Sequence, residues 1–262
     1  MNITKLSVVF FSATGRTHKA AEAFVKALPL PARWIDVTAA STADQAHTFG
    51  PEELVVFAAP VYGGRIPAQA AQRFARQKGT QTPAVLLAVF GNRDYDDALL
   101  EMQEVAQAAG FVPFACAAPV AEHSLMPGVA VGRPDEADAQ KLAEFAGRVW
   151  QTLAAAPSAH ALAVPAVKGN RPYKAYPSIP FKPTASKSCV QCGTCARACP
   201  TGAIPLEHPN QTDKTRCISC MRCVAVCPHG ARGVNKLLLE AAGKVFALKF
   251  GARKEPEFFI GK

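Results

Sequence analysis

The feature that most limits what this chain can fold into is a repeated cysteine run. Residues 189–200 and 217–228 each read Cys-x2-Cys-x2-Cys-x3-Cys-Pro, one copy 28 positions after the other. Eight cysteines this close together must organise their stretch through whatever their sulfurs bind, because roughly residues 186–233 are too few to stabilise themselves by burial alone. Disulfides are one way out and metal is the other. No apolar run reaches the roughly 18 residues of a membrane span, and the opening MNITKLSVVFFSATG lacks a charged segment followed by a small-residue cleavage site. A cytoplasmic chain is therefore expected, in which thiols stay reduced and closely spaced cysteines act as ligands.

A [4Fe–4S] cube needs four thiolates from a tight loop. In the bacterial form of this run three cysteines wrap one cube and the fourth reaches the other. By that rule cluster one takes Cys189, Cys192, Cys195 and Cys227, and cluster two takes Cys217, Cys220, Cys223 and Cys199. Pro200 and Pro228 turn the chain away after the exchanged ligands, and Gly193, Gly202 and Gly230 let backbone approach the sulfides. Interleaved four-cysteine sets suit separate tetrahedral zinc sites poorly. The stretch resembles the bacterial two-cluster ferredoxins, which implies a small α+β domain that carries single electrons at low potential.

Residues 1–157 have a different texture. Short apolar runs at Leu6–Phe11, Arg33–Val37, Leu54–Ala59, Ala84–Phe90 and Phe111–Ala117 alternate with amphipathic stretches near Thr17–Leu28, Ala68–Gln77, Asp96–Ala109 and Pro134–Ala155. This rhythm predicts an α/β fold, a parallel sheet covered on both faces and strands buried on both sides; Ser41–Phe49 is a short helix or a loop. Strand one runs into Ser12-Ala13-Thr14-Gly15-Arg16-Thr17, a hydroxyl-rich loop opening a helix, and such a helix start favours phosphate through its free N–H groups and dipole. It lacks the glycine patterns of triphosphate and dinucleotide loops. Pro60-Val61-Tyr62-Gly63-Gly64 and Gly91-Asn92-Arg93-Asp94-Tyr95 follow strands three and four, so the three loops meet at the switch point of a doubly wound sheet.

These loops resemble those of flavodoxin, across about residues 4–155. The resemblance implies a five-stranded sheet of order 2-1-3-4-5 and bound FMN, with Ser12, Thr14, Gly15, Arg16 and Thr17 at the phosphate. Pro60, Val61, Tyr62, Gly63 and Gly64 would flank the ring, with Tyr62 stacked on it. Gly91 and Asn92 would serve the pyrimidine edge, Tyr95 would cover the other face, and Arg93 would meet flavin or a partner.

Four segments follow: a flavodoxin-like domain 1–157, a Pro-rich linker 158–185, a ferredoxin domain 186–233, and an amphipathic helix and tail 234–262. Val234–Phe250 is expected to pack back onto one of the domains, with a membrane surface as its alternative. Gly169-Asn170-Arg171-Pro172-Tyr173 is either a turn or a cover over the flavin. Cys116 is expected in the core, and His18, His123, His208 and His229 at structural or surface positions. Residues 1–157 hold 13 Lys and Arg against 15 Asp and Glu, whereas residues 158–262 hold 16 against 5. Two clusters of about −2 each would absorb part of that basic excess. The remainder suits an acidic redox protein, and nucleic acid is not expected because the basic residues are not interleaved with aromatics. The reading is an electron carrier linking two [4Fe–4S] clusters and FMN. Its alternative is an FMN-dependent reductase of a small organic acceptor, although no acid/base pair declares itself. A homodimer with the ferredoxin part facing a second chain's flavin is also open.

Overall fold

The computed structural model describes residues 1–261. The first part folds as β1 (Lys5–Phe10), α1 (Arg16–Val25), β2 (Ala32–Asp36), β3 (Glu53–Pro60), α2 (Ala68–Ala75), β4 (Thr82–Val89), α3 (Ala98–Ala108), β5 (Phe111–Ala118) and α4 (Glu136–Ala155). The five strands run parallel in the order β2-β1-β3-β4-β5, and every strand lies within two residues of its expected place.

Alternating side chains divide the apolar residues between two faces. Val9, Phe57, Leu86 and Cys116 point towards α2 and α3 with Phe74, Leu99 and Met102. Val8, Val56, Val85 and Ala115 face α1 and α4, where Phe24, Phe145 and Val149 complete the layer. β3 and β4 are buried almost throughout, as expected of central strands. β2 departs from the expectation: it is an edge strand in which only Ile35 is buried. Cys116 is fully buried, and burial pushes its thiol up to about 12, which makes it an inert core residue. The Ser41–Phe49 region holds a single 3₁₀ turn, Ala40–Thr42, and a short strand Thr48–Phe49 beside Lys78–Gly79.

The sheet has six strands, not the five expected. The small second part contributes β6 (Thr184–Ala185), α5 (Thr194–Arg197), α6 (Arg222–Ala225) and β7 (Arg232–Gly233), and is followed by α7 (Lys236–Phe250) and β8 (Glu257–Ile260). β8 pairs antiparallel with β5 and closes what would otherwise be a long apolar edge. Phe258 stacks on Phe145 at 4.8 Å, so the C-terminal tail belongs to the first domain's core. Asn92 holds the approach to this strand: its Nδ2 donates to the Phe250 and Ala252 carbonyls, and its Oδ1 accepts from Lys254 N.

The cysteine-rich part docks on the carboxyl end of the same chain's sheet. Arg73, 4% exposed, donates through Nη1 to the Val37 and Thr38 carbonyls and through Nη2 to the Pro200 carbonyl at 2.6 Å. Arg222 donates to the Ser12 carbonyl at 2.9 Å, and Ala40 N donates to the Cys199 carbonyl at 3.1 Å. The intervening chain is clipped to α3: Asn170 N donates to Asp97, Tyr173 and Arg171 bond Glu104, and Arg65 lies over the rings of Tyr173 and Tyr176 while paired with Glu101. Gly169–Tyr173 is thus a turn docked on a helix, not a flavin cover. Among the described residues no helix is long and apolar enough to cross a membrane.

Candidate functional site

The duplication visible in the cysteines is repeated in the backbone. Gln191 and Ser219 have φ of 56° and 55°, Gly193 and Met221 of 75° and 62°, and Gly202 and Gly230 of 62° and 57°, each pair 28 positions apart. These left-handed residues curl each loop so that its thiols face inward. Cys189, Cys192, Cys195 and Cys227 line one small cavity, and Cys199, Cys217, Cys220 and Cys223 line a second. Ala203 N donates to Cys199 Sγ and Ala231 N donates to Cys227 Sγ, both at 3.3 Å, again 28 positions apart. Backbone N–H groups aimed at sulfur stabilise a thiolate. The thiols thus fall into two sets of four, each with three members from one loop and one from the other, and each set lining its own cavity. That arrangement fits a cube with four corner irons better than a mononuclear ion.

The two cages differ electrostatically. Burial pushes the Cys220 and Cys223 thiols up to about 12. In the other cage, hydrogen bonds from Thr194 hold Cys192 below its ordinary value, and at Cys227 backbone N–H groups outweigh the opposing effect of burial. A buried thiol left unligated stays neutral, so iron ligation is what would make Cys220 and Cys223 thiolates.

Beside the second cage, at the carboxyl ends of β1, β3 and β4, lies a cleft of about 320 Å³. Ten of the fourteen residues expected at a flavin line it: Thr14, Arg16, Thr17, Pro60, Val61, Tyr62, Gly63, Gly64, Gly91 and Arg93. One end of the cleft is the start of α1, where Gly15 at φ 83° bends the chain into the helix and Ser12 Oγ accepts from His18 N. Arg16 pairs with Glu122 at 2.8 Å, and its buried Nε has no partner. A Cβ on Gly63 would overlap Pro177, and one on Gly64 would overlap the Asp96 carboxylate, so both positions need glycine. Tyr62 stands between cleft and cage. Burial and then Cys220 raise its hydroxyl pKa, with Arg222 opposing.

Four expected residues do not line the cleft. Ser12 and Gly15 act one step back by shaping the helix start. Asn92 does not reach a pyrimidine edge because both ends of its amide are occupied by the tail. Tyr95 cannot cover a flavin face: it is fully buried, packed on Phe90, with its hydroxyl donating to Glu257 at 2.7 Å. The other walls come from segments that sequence patterns did not connect with the loops. They are Ala121–Met126 after β5, Lys174, Pro177 and Ile179 of the linker, Ile218 and Ser219 of the second cysteine loop, and Phe246 of α7. His123, expected to be structural, lines the cleft; its Nδ1 accepts from Leu125 N and Met126 N, and burial lowers its pKa to about 4. The position of its loop after the fifth strand was the available signal.

The site can now be set beside known proteins. Residues 188–231 match the 4Fe–4S dicluster domain family. No curated protein gives a significant match. Among solved structures, the Streptococcus pneumonia TIGR4 flavodoxin is similar at 16% identity, covering 57% of this chain and 99% of its own, with a TM-score of 0.39. Flavodoxin 2 from Bacillus cereus stands at 14% identity, 57% and 99% coverage and 0.39, and an azoreductase from Bacillus anthracis str. Sterne at 14%, 57%, 100% and 0.36. At these TM-scores the likenesses decide nothing; the fold rests on the parallel 2-1-3-4-5 order of β1–β5. The chain thus joins a 4Fe–4S dicluster domain to a flavodoxin-like α/β domain.

Proposed function

We propose that this chain is an electron-transfer iron–sulfur flavoprotein, passing single electrons between two [4Fe–4S] clusters and FMN and on to a redox protein. The observation that carries the reading is that Ile218 and Ser219, from the loop holding three of the second cage's thiols, line the same cleft as the helix-start loop Thr14–Thr17. When bound, the clusters exchange one electron each, and the flavin accepts one or two.

The chain's own residues supply the setting. Thr14, Thr17 and the free N–H groups of α1 hold the phosphate, with Arg16 adding charge. Tyr62, Gly63 and Gly64 shape the ring site, while Pro177, Ile179 and Phe246 keep water from it. The ligands are Cys189, Cys192, Cys195 and Cys227 for cluster one, and Cys217, Cys220, Cys223 and Cys199 for cluster two. Cluster one is the outward one: Cys192 is exposed and its neighbour Val190 is 61% exposed, so a redox partner meets this end. The basic C-terminal half favours an acidic partner, and the reduced thiols suit the cytoplasm. Since the second cage faces its own chain's cleft, the carrier needs no second copy. A second reading is an FMN-dependent reductase of a small organic acceptor, for which the cleft wall offers both signs of charge, Arg93 and Lys174 paired with Asp96 beside Asp94 and Glu122.

Anaerobic purification, with iron, sulfide and flavin determined per chain and the visible spectrum followed during dithionite addition, tests this. About eight irons and one FMN, bleaching in separable stages, is the expected result. Full iron without flavin overturns the flavin assignment. A bound flavin reoxidised rapidly by small organic acceptors, and slowly by redox proteins, favours the reductase.

A further inference from the structure

We propose that Arg232, buried between the two thiol cages, is the internal counter-charge of the iron–sulfur clusters and raises the reduction potential of cluster one. The inference rests on the cluster ligands named above and goes beyond them, because Arg232 itself ligates nothing.

The guanidinium is placed by its bonds. Arg232 follows Ala231, whose N–H donates to Cys227 Sγ, and it lines the cavity of Cys189, Cys192, Cys195 and Cys227. Its Nη2 donates to the Gln211 carbonyl at 3.0 Å and to the Pro209 carbonyl, which Cys195 Sγ also approaches at 3.7 Å. Its Nη1 donates at 2.6 Å to the hydroxyl of Thr212, a wall residue of the second cavity. One charged group thus shares an acceptor with a cluster-one ligand and reaches the wall of cage two. Its partners are all neutral: among the described residues no carboxylate pairs with it, although it is only 4% exposed. A buried cation needs an anion nearby to offset its lost hydration, and neutral carbonyls offset only part. Each loaded cluster with its thiolates carries about −2, which supplies that anion on both sides.

The duplication supplies an internal control. Ile204 lies 28 positions earlier, in the seat equivalent to Arg232, and is likewise 4% exposed. It packs with Cys195 and Ala196 and lines the second cavity, as an apolar residue does in a small core. One seat is therefore filled twice, by a hydrocarbon beside cage two and by a cation beside cage one. Packing alone does not call for the cation, since a well-packed hydrocarbon avoids the cost of stripping a charge of water. What the cation adds is an electrostatic preference. Reduction makes a cluster more negative, and a positive charge held in surroundings of low polarity favours that form. Exposed arginines of the same domain, such as Arg216, act through water and salt and weigh less.

The test uses the full-length protein loaded with iron and sulfide, as wild type and as Arg232→Gln, Arg232→Ile, Arg232→Lys and Arg216→Gln. Reductive titration followed by EPR reads the midpoint of each cluster, with iron content and Tm as controls for folding. Arg232→Gln keeps a donor for the neighbouring carbonyls and removes the charge. It is expected to disfavour reduction about tenfold, a midpoint about 59 mV lower, at one cluster and by less at the other. Arg232→Ile places in this seat the residue that the other repeat carries there, and should shift the midpoint in the same direction where the Gln variant does not load. Arg232→Lys keeps the charge and is expected to stay closer to the wild-type midpoint. Arg216→Gln removes an exposed charge and is expected to leave both midpoints nearly unchanged. Unchanged midpoints in the loaded neutral variants, or equal shifts in the Gln and Lys variants, overturn the proposal and make Arg232 a structural brace for residues 209–212, with the cluster ligands intact. A wild-type protein that takes up no [4Fe–4S] cluster overturns the ligand assignment and this role with it.

Discussion

The two cysteine loops share a motif, a 28-residue offset and matching left-handed residues, yet live in different surroundings. The first presents Val190, Gln191 and Cys192 to solvent. The second buries Ser219, packs Ile218 against the core cluster and is braced by Arg222 against the Ser12 carbonyl. Local geometry follows from spacing and is therefore the same in both copies. What each loop can contact depends on where the domain is clamped, and Arg73 and Arg222 clamp it on the second copy's side.

The largest effect should come from the ligands. Cys220→Ala and its equivalent Cys192→Ala should each reduce iron to about half, but only Cys220→Ala should also disturb the flavin spectrum; equal flavin effects from both would break the asymmetry. Removing iron altogether with a chelator should unfold residues 186–233 while the six-stranded domain survives, read by hydrogen exchange.

Arg73 comes next. Arg73→Met leaves the Val37, Thr38 and Pro200 carbonyls without this donor and should cost about 2–4 kcal/mol, seen as a lower Tm, with faster exchange at the interface. No drop in stability would mean that the clamp is held by other contacts.

Acid should act on the cleft wall. His123 is held near a pKa of about 4 by burial, below its unfolded value, so its neutral form is favoured in the folded chain. Stability from this group is present above about pH 6.5 and lost as pH falls towards 4, by up to about 3 kcal/mol. Thermal melts across that range should show a slope that His123→Gln flattens.

The smallest effect is at the exposed copy. Gln191→Gly relieves a left-handed backbone in water and should stabilise by roughly 0.5–1 kcal/mol with no change in the flavin, measured by urea melts. A destabilisation would show that Gln191 makes a contact the exposed position does not suggest.

Sequence alone determined the features whose cause is local. Cysteine spacing decides which three thiols of each curled loop can reach a common centre, because residues so close in one loop have few conformations to choose from, and the fourth comes from the other repeat. Alternation of apolar runs decides a layered sheet, and the position of Thr14–Thr17 between a strand and a helix decides that this loop opens α1. Gly63 and Gly64 were expected to flank a flavin ring, and nothing in the sequence told that Pro177 and Asp96 would stand against them. Tertiary structure decided everything set by long-range contact. Asn92 and Tyr95 were misassigned because the tail that claims them lies more than 150 residues later, and no periodicity records such a partner. The sixth strand was missed for the same reason: Glu257–Ile260 is a four-residue segment, three of its residues apolar, beyond a helix, and only the open edge of β5 makes it a strand. Arg232 reads in sequence as one basic residue among many. Its burial between the two cages, in the seat that Ile204 takes in the other repeat, exists only once both loops are folded together, because burial depends on what a residue meets and not on what it is.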